Sequence, residues 1–196
     1  MKLTIAAALL QICSFRSVSA QQAGTLTPEG NPTITLKECT VANGCTSRQA
    51  KLTLDANWRW IHTTDGYDNC YTGNAWDSQY CSDPVQCAKD CALEGVSAEK
   101  YSSTYGIQQV EDGVKLQFLT NHEDGTNVGS RLYVMDEGSN DDEYKLFYLK
   151  NREFTFDVDV SELKCGMNGA MYFSEMAANG GKGTGDNQAG AKYGTG

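Results

Sequence analysis

The chain has 196 residues, 40% of them hydrophobic, with 16 Lys and Arg against 25 Asp and Glu for a formal net charge of −9. That length suits one domain of ordinary size. An acidic chain without basic clusters argues against nucleic acid as a partner, because phosphate contact depends on Lys and Arg; a neutral polymer such as a polysaccharide stays open to it.

Residues 1–20 read as a secretory signal peptide. Lys2 gives a positive start, Leu3 to Ile12 form a short apolar run, and Val18-Ser19-Ala20 is an A-x-A-like cleavage site. The run is too short to cross a hydrocarbon layer of about 30 Å, and no later stretch comes near that length. The mature protein, residues 21–196, is therefore expected to be extracellular, with no membrane association. Removing the leader takes away Lys2, Arg16 and Cys13 and leaves 14 basic against 25 acidic residues, a net charge of −11.

Of the 8 cysteines, seven then remain: Cys39, Cys45, Cys70, Cys81, Cys87, Cys91 and Cys165. Export leads to an oxidising compartment, where disulfides form. Zinc is the rival reading, on the spacing Cys81…Cys87-x-x-x-Cys91, but no His lies nearby. Six of the seven crowd residues 39–91, and Cys165 stands alone, so its partner is expected outside this sequence.

Along the chain, 3 Pro and 20 Gly are set among Asn, Asp, Ser and Thr between short apolar runs. Alternation of apolar and polar residues predicts strands over 51–54, 113–118, 131–134 and 153–160. A short helix is predicted around Pro84 to Leu93, with Ser82 or Asp83 as N-cap and Pro84 at its first position. No long amphipathic helix intervenes. The pattern is that of an all-β, mainly antiparallel sandwich. From Ala177 to Gly196 the composition shifts to Gly, Ala, Asn, Lys and Thr, which reads either as a flexible linker or as a long loop within a larger domain.

Asp157-x-Asp159-x-x-Glu162 is the most tempting catalytic pattern, since glycoside hydrolysis needs two carboxylates at one bond. The same alternation, however, puts Phe154, Phe156, Val158 and Val160 on the opposite face, as in an ordinary half-buried strand. His62 and His122 lie among polar residues, are expected at the surface, and belong to no recognisable triad. Asn57-Trp58-Arg59-Trp60 reads as a strand; one of its indoles is expected in the core, and the other, flanked by Asn and Arg, suits a sugar ring. Asn69-Cys70-Tyr71-Thr72-Gly73-Asn74-Ala75-Trp76 repeats that mixture in a disulfide-held loop, a usual place for binding groups.

These segments carry a family likeness. Asp55-Ala-Asn-Trp-Arg-Trp60-x-His62, Asn69-Cys-Tyr-x-Gly-Asn-x-Trp76 and Cys87-Ala-Lys-x-Cys91 resemble glycoside hydrolase family 7. So do Tyr101-x-Ser-Thr-Tyr-Gly106, Asn127-Val-Gly-x-Arg-Leu-Tyr133, Phe154-x-Phe-Asp-Val-Asp-Val-Ser161, Cys165-Gly-x-Asn-Gly-Ala170 and Ala189-Gly-Ala-Lys-Tyr-Gly-Thr-Gly196. The resemblance runs in order from about Thr25 to the last residue. It implies a concanavalin A-like β-jelly-roll sandwich and a cellulase that hydrolyses β-1,4-glucosidic bonds with retention, using one carboxylate as nucleophile and another as acid/base. The family's Glu-x-Asp-x-x-Glu motif does not occur here, and Asp157-x-Asp159-x-x-Glu162 falls on a structural strand. The expectation is thus an N-terminal, truncated part of a catalytic domain over residues 21–196, with no catalytic residue in this chain and inactive by itself.

The resemblance also implies that Asn57, Arg59, Trp60, Tyr71, Asn127, Arg131, Asn168 and Tyr172 line the path of a cellulose or cello-oligosaccharide chain, with Trp60 as an entrance platform. It implies bridges Cys39–Cys45, Cys70–Cys91 and Cys81–Cys87, with Cys165 paired outside this sequence. Two departures are coupled: Gly24 and Ala92 stand where the family commonly has a bonded cysteine pair. No cofactor or metal is expected, and a monomer is. The Tyr-x-Gly-Asn-x-Trp loop points to the cellobiohydrolase type, the alternatives being an endoglucanase of the same family or a non-catalytic glucan-binding sandwich.

Overall fold

A computed structural model describes residues 21–111, 113–138 and 142–196; the leader assigned to residues 1–20 lies outside the described residues. A long hairpin forms the frame. Strands β2 (Thr33–Thr40) and β3 (Gly44–Leu54) pair antiparallel from Thr33↔Lys51 to Thr40↔Gly44. The register sets Cys39 opposite Cys45, and the two are bonded. Alternate residues of β3, namely Ala50, Leu52 and Leu54, are buried on one face, as period-2 geometry requires. On its other edge β3 pairs with β12 (Leu132–Val134).

A second sheet centres on β7 (Cys91–Leu93), which pairs parallel with β1 (Gln22–Ala23) and antiparallel with β4 (Ile61–Thr63). Three small hairpins complete the strands: β5 (Tyr71–Thr72) with β6 (Ala75–Trp76), β8 (Ile107–Val110) with β9 (Gly113–Leu116), and β10 (Leu119–His122) with β11 (Gly125–Val128). Helix α1 (Pro84–Asp90) begins at Asp83, whose carboxylate accepts the amides of Val85 and Gln86. A second helix, α2 (Ala98–Ser103), was not expected from the sequence; Ser97 caps it at the Lys100 amide. Among the described residues no helix is long and apolar enough to cross a membrane.

Three buried clusters lie between these elements. Leu54, Val96, Tyr101, Tyr105 and Ile107 form one, Leu93, Ala189 and Tyr193 the next, and Met135, Tyr144 and Ala191 the third. Each fully buried side chain of the Leu54 kind contributes roughly 1.5–3 kcal/mol. The C-terminal stretch is thus a packed loop and no linker. Tyr193 donates to the Gly24 carbonyl at 2.9 Å, and Tyr144 to the Thr195 carbonyl at 2.6 Å. Gly194, at φ 70°, comes so close to Leu54 that a Cβ there would sit 2.2 Å from the Leu54 carbonyl oxygen.

Four expectations are corrected. Residues 57–60 do not form a strand: a 3-10 turn spans Ala56–Trp58, because the Asp55 carboxylate captures the Asn57 amide and its carbonyl captures the Trp58 amide. Residues 153–160 alternate but form no strand, since none of the described residues supplies a ladder partner; Phe154 packs instead on Phe147 and Phe173, ring centroids 5.3 and 5.0 Å away. The strands expected at 113–118 and 131–134 are shorter, ending at Leu116 and starting at Leu132. His62 is buried, and His122 is half-buried on β10.

Candidate substrate-binding site

The bridges are Cys39–Cys45, Cys70–Cys91 and Cys81–Cys87, the pairing that the resemblance implies, and Cys165 is a free, exposed thiol. The sulfurs of Cys70, Cys81 and Cys91 lie within 4.8 Å of one another, close enough to suggest a metal. All three are consumed in bridges, so no thiolate is left to ligate. Two disulfides meet there, with Cys81 Sγ 3.5 Å from Cys91 Sγ: Cys70–Cys91 ties the start of the β5–β6 hairpin to β7, and Cys81–Cys87 closes the preceding loop onto α1.

Two groups of side chains flank the 55–60 turn. In the first, Trp60 is half-buried at the start of β4. Its indole N–H donates to Asn69 Oδ1 at 2.6 Å, one side of its ring lies against His62, with centroids 4.3 Å apart, and Tyr67 is stacked at 6.4 Å. Beyond it, the exposed rings of Tyr71 and Trp76 meet edge to face across the β5–β6 hairpin at 4.9 Å. These aromatic surfaces, partly open and partly held by polar neighbours, suit the C–H faces and hydroxyls of a sugar.

The second group hangs from Asp55, whose carboxylate is buried. It receives Arg131 through Nε at 2.7 Å and a terminal nitrogen at 2.6 Å, and the Tyr133 hydroxyl at 2.6 Å. Arg131 also lies over the Trp58 ring at 5.7 Å, and the exposed Tyr172 is close enough to act on its charge. The Asp55 carboxylate raises the Arg131 pKa above its ordinary value, with Tyr172 adding to it. For Tyr133, burial first and the Asp55 bond second push the phenol up to about 12. Trp58 donates to the Val128 carbonyl at 3.1 Å, and beside it Asn127 donates to the Gly129 carbonyl at 2.9 Å.

Of the sequence-derived residues, the structure brings together Arg131 and Tyr172 and sets Asn127 on the adjoining strand. Trp60 and Tyr71 occupy the other end of the turn, with Asn57 exposed between the two groups. Asn168 is exposed on the segment leading to Tyr172. Arg59 is a correction: it does not face outward. Its guanidinium is buried and pairs with Glu29 at 2.7 and 3.1 Å, and it donates further to Thr53 Oγ1 and the Leu54 and Glu94 carbonyls. Every donor is spent inside the protein, leaving none for a ligand. Burial works against its charge, but the Glu29 carboxylate prevails and keeps the pKa above the ordinary value.

Asp55, Tyr133, Asn69 and Tyr67 were not singled out from sequence. Asp55 had a local signal, since Asp ahead of a tight turn is a capping residue. The carboxylates of 157–162 do not form a catalytic pair. They are exposed, and Ser161 holds the Asp159 carboxyl below its ordinary value, the opposite of what a general acid needs.

Known proteins fit this arrangement. The sequence model of glycosyl hydrolase family 7 matches residues 23–196. A family 7 cellobiohydrolase from Daphnia pulex superposes with a TM-score of 0.85 at 43% identity, covering 89% of this chain and 39% of that one. The cellobiohydrolase from Melanocarpus albomyces, solved with cellotetraose, gives 0.78 at 42% identity over the same shares. The endocellulase of Humicola insolens gives 0.73 at 35% identity, covering 89% of this chain and 43% of that one. The chain thus spans 39% of the length of the cellobiohydrolases it matches and shares their mostly-β, jelly-roll class. On the family match and these superpositions, the chain belongs to glycosyl hydrolase family 7.

Proposed function

We propose that these residues form the glucan-holding side of a secreted, monomeric, retaining cellulase of the cellobiohydrolase type, and that the nucleophile and acid/base are contributed by residues other than those in this sequence. The reading is carried by the partly exposed aromatics Trp60, Tyr71 and Trp76 on one side of the 55–60 turn and, on the other, by Arg131, held by the buried Asp55, with Tyr172 beside it. Aromatic faces of this kind can stack sugar rings while the guanidinium and phenol donate to hydroxyls. It is supported by the relative solved with cellotetraose. The cellobiohydrolase type is favoured by higher identity and TM-score toward those enzymes than toward the endocellulase. The sequence has no Glu-x-Asp-x-x-Glu, and the exposed Asp157, Asp159 and Glu162 lie in no enclosed site where a nucleophile and an acid/base could work as the pair that retention requires.

The test is sugar release from cellulose by the protein extended to the length of its relatives, beside the 196-residue chain. Soluble cellobiose dominating over new insoluble chain ends is expected from the longer protein, and no release from the shorter one. A majority of insoluble ends would assign an endoglucanase. Release by the 196-residue chain that disappears in Asp157→Asn would overturn the division of labour. Secretion is checked by the mature N-terminus, expected at Gln21.

A further inference from the structure

Beneath Trp60 lies a buried ionisable pair with no part in sugar contact. His62 on β4 and Glu94, just after β7, are joined from Nε2 to Oε2 at 2.8 Å, and both side chains are almost wholly buried. The other ring nitrogen, Nδ1, faces the carbonyl oxygens of Thr63 at 2.8 Å and Gly66 at 3.0 Å. A carbonyl oxygen only accepts, so Nδ1 bears a hydrogen. On the other side, Glu94 Oε2 also receives the Leu26 amide, and Oε1 receives the amides of Thr27 and Gly95. Burial opposes a charge on Glu94; the Thr27 and Gly95 amides, His62 and the Leu26 amide outweigh it and hold its carboxyl below the ordinary carboxylate value. With acceptors on both sides of the ring, Nε2 bears a hydrogen too.

An imidazolium satisfies all of these contacts, and the ring plane is tilted 34° to the Trp60 indole at a centroid distance of 4.3 Å. A cation at an indole face is drawn to the ring quadrupole. The edge of the same indole is fixed by Asn69, which forms a β-bridge with His62. One short unit thus holds Trp60 by face and by edge.

We propose that His62, charged and locked by Glu94, is a positioning residue for Trp60 that sets the angle of the indole against which a glucan chain stacks. The proposal rests on the platform role given to Trp60 above. Other charged or titratable groups surround the pair. From the 55–60 turn comes Arg59, bonded to the Glu94 carbonyl and matched by Glu29. From the C-terminal turn comes Tyr193, whose phenol feels the Glu94 charge. The β4–β5 loop carries Asp65 and Asp68, the latter bonded to Tyr80, and α1 carries Asp90, bonded to Gln86. Glu94 is the one bonded to the ring. Loss of the Nε2 hydrogen sets a lone pair against the Glu94 carboxylate, which tips the ring and frees the indole.

The experiment combines two-bond 1H–15N NMR of the histidine-labelled protein with cellohexaose titration across pH. At about pH 5, where a carboxylate is still ionised, His62 is expected to show both nitrogens protonated. In Glu94→Gln, whose amide can donate to Nε2, it should show one. Cellohexaose affinity should fall about fivefold, the scale of a cation–π contact, as His62 loses its second hydrogen in the same sample, and the fall should be absent in Trp60→Ala. A neutral His62 in the native protein at that pH, or affinity indifferent to His62 titration while Trp60→Ala weakens binding, overturns the proposal. If Trp60→Ala leaves affinity unchanged, the platform reading fails instead, and the positioning role with it, while the NMR arm still decides the charge of His62.

Discussion

Arg131 reaches Asp55 through two nitrogens, at 2.7 and 2.6 Å, and so the outward guanidinium of the candidate site is held by an inward carboxylate. Asp55 has only 3% of its side chain exposed against 39% for Arg131. The two residues should therefore fail differently. Asp55→Asn removes the buried charge that Arg131, Tyr133 and the Asn57 amide all address, and should cost about 3 kcal/mol. Arg131→Lys keeps the charge but loses the two-pronged fit. Being partly in water, it should cost about 1 kcal/mol or less while weakening cellohexaose binding. Chemical denaturation and calorimetry of the two variants decide; equal stability losses would contradict the assignment.

Arg59 illustrates the opposite case. Its charge is enclosed with Glu29, and Tyr101 donates to that same carboxylate. Arg59→Met should cost roughly 3–5 kcal/mol by leaving Glu29 unpaired. Arg59→Met with Glu29→Gln should recover part of that loss. A denaturation midpoint close to that of the native protein in the single variant would mean that Arg59 is not the internal strut described here.

Buried tyrosines give an alkaline limit. Burial is the leading cause of raised pKa values at Tyr101, Tyr105, Tyr133, Tyr144 and Tyr193, with Tyr133 pushed up to about 12. An unfolded tyrosine ionises near 10. Stability from a raised group is fully present below that value and drains away as pH climbs through the folded value. Melting temperature should stay level up to about pH 10 and then fall. The fall should be shallower in Tyr133→Phe between about pH 10 and 12, the window set by its own shift. Phenolate absorbance that accounts for all 10 tyrosines at about pH 10 without unfolding would show the buried rings to be open to solvent.

Features with local signals were legible in the sequence. The alternation of β3 follows from Ala50, Leu52 and Leu54, and α1 from Asp83 and Pro84. The interior polar pairs were not. Glu29 lies thirty residues before Arg59 and Glu94 thirty-two after His62, so nothing near either cation announces its partner. Arg59 reads as facing sugar from the family resemblance and from a strand drawn through 57–60, and His62 reads as facing water because its sequence neighbours are polar. The Asp55 carboxylate, by capturing the Asn57 amide, turns the chain and sends Arg59 inward. Residues 153–160 misled for the converse reason: alternation states which face wants burial, but a strand exists only where another strand pairs with it.

Gly24 ties the missing cysteine pair to the His62–Glu94 unit. Its amide donates to the Leu93 carbonyl at 2.6 Å, which lays the chain directly over β7. A Cβ at Gly24 would lie 2.4 Å from Glu94 Oε2, 2.7 Å from Glu94 Cδ and 2.8 Å from the Leu93 carbonyl oxygen. The Glu94 carboxylate cannot swing aside, because three amides and His62 hold it. Gly24→Ala should therefore cost about 1–3 kcal/mol, the range for overpacking a filled site. Replacing both Gly24 and Ala92 by Cys, the residues common in the family, should lower stability in this chain, although closing a loop of this size ordinarily adds about 4 kcal/mol. Shortening the obstacle tests the cause. In a Glu94→Asp background, Gly24→Ala should cost less than in the native chain, giving a coupling of about 1 kcal/mol or more in a double-mutant cycle. Additive losses would mean that the collision is with the Leu93 carbonyl alone, and that Glu94 has no part in keeping position 24 a glycine.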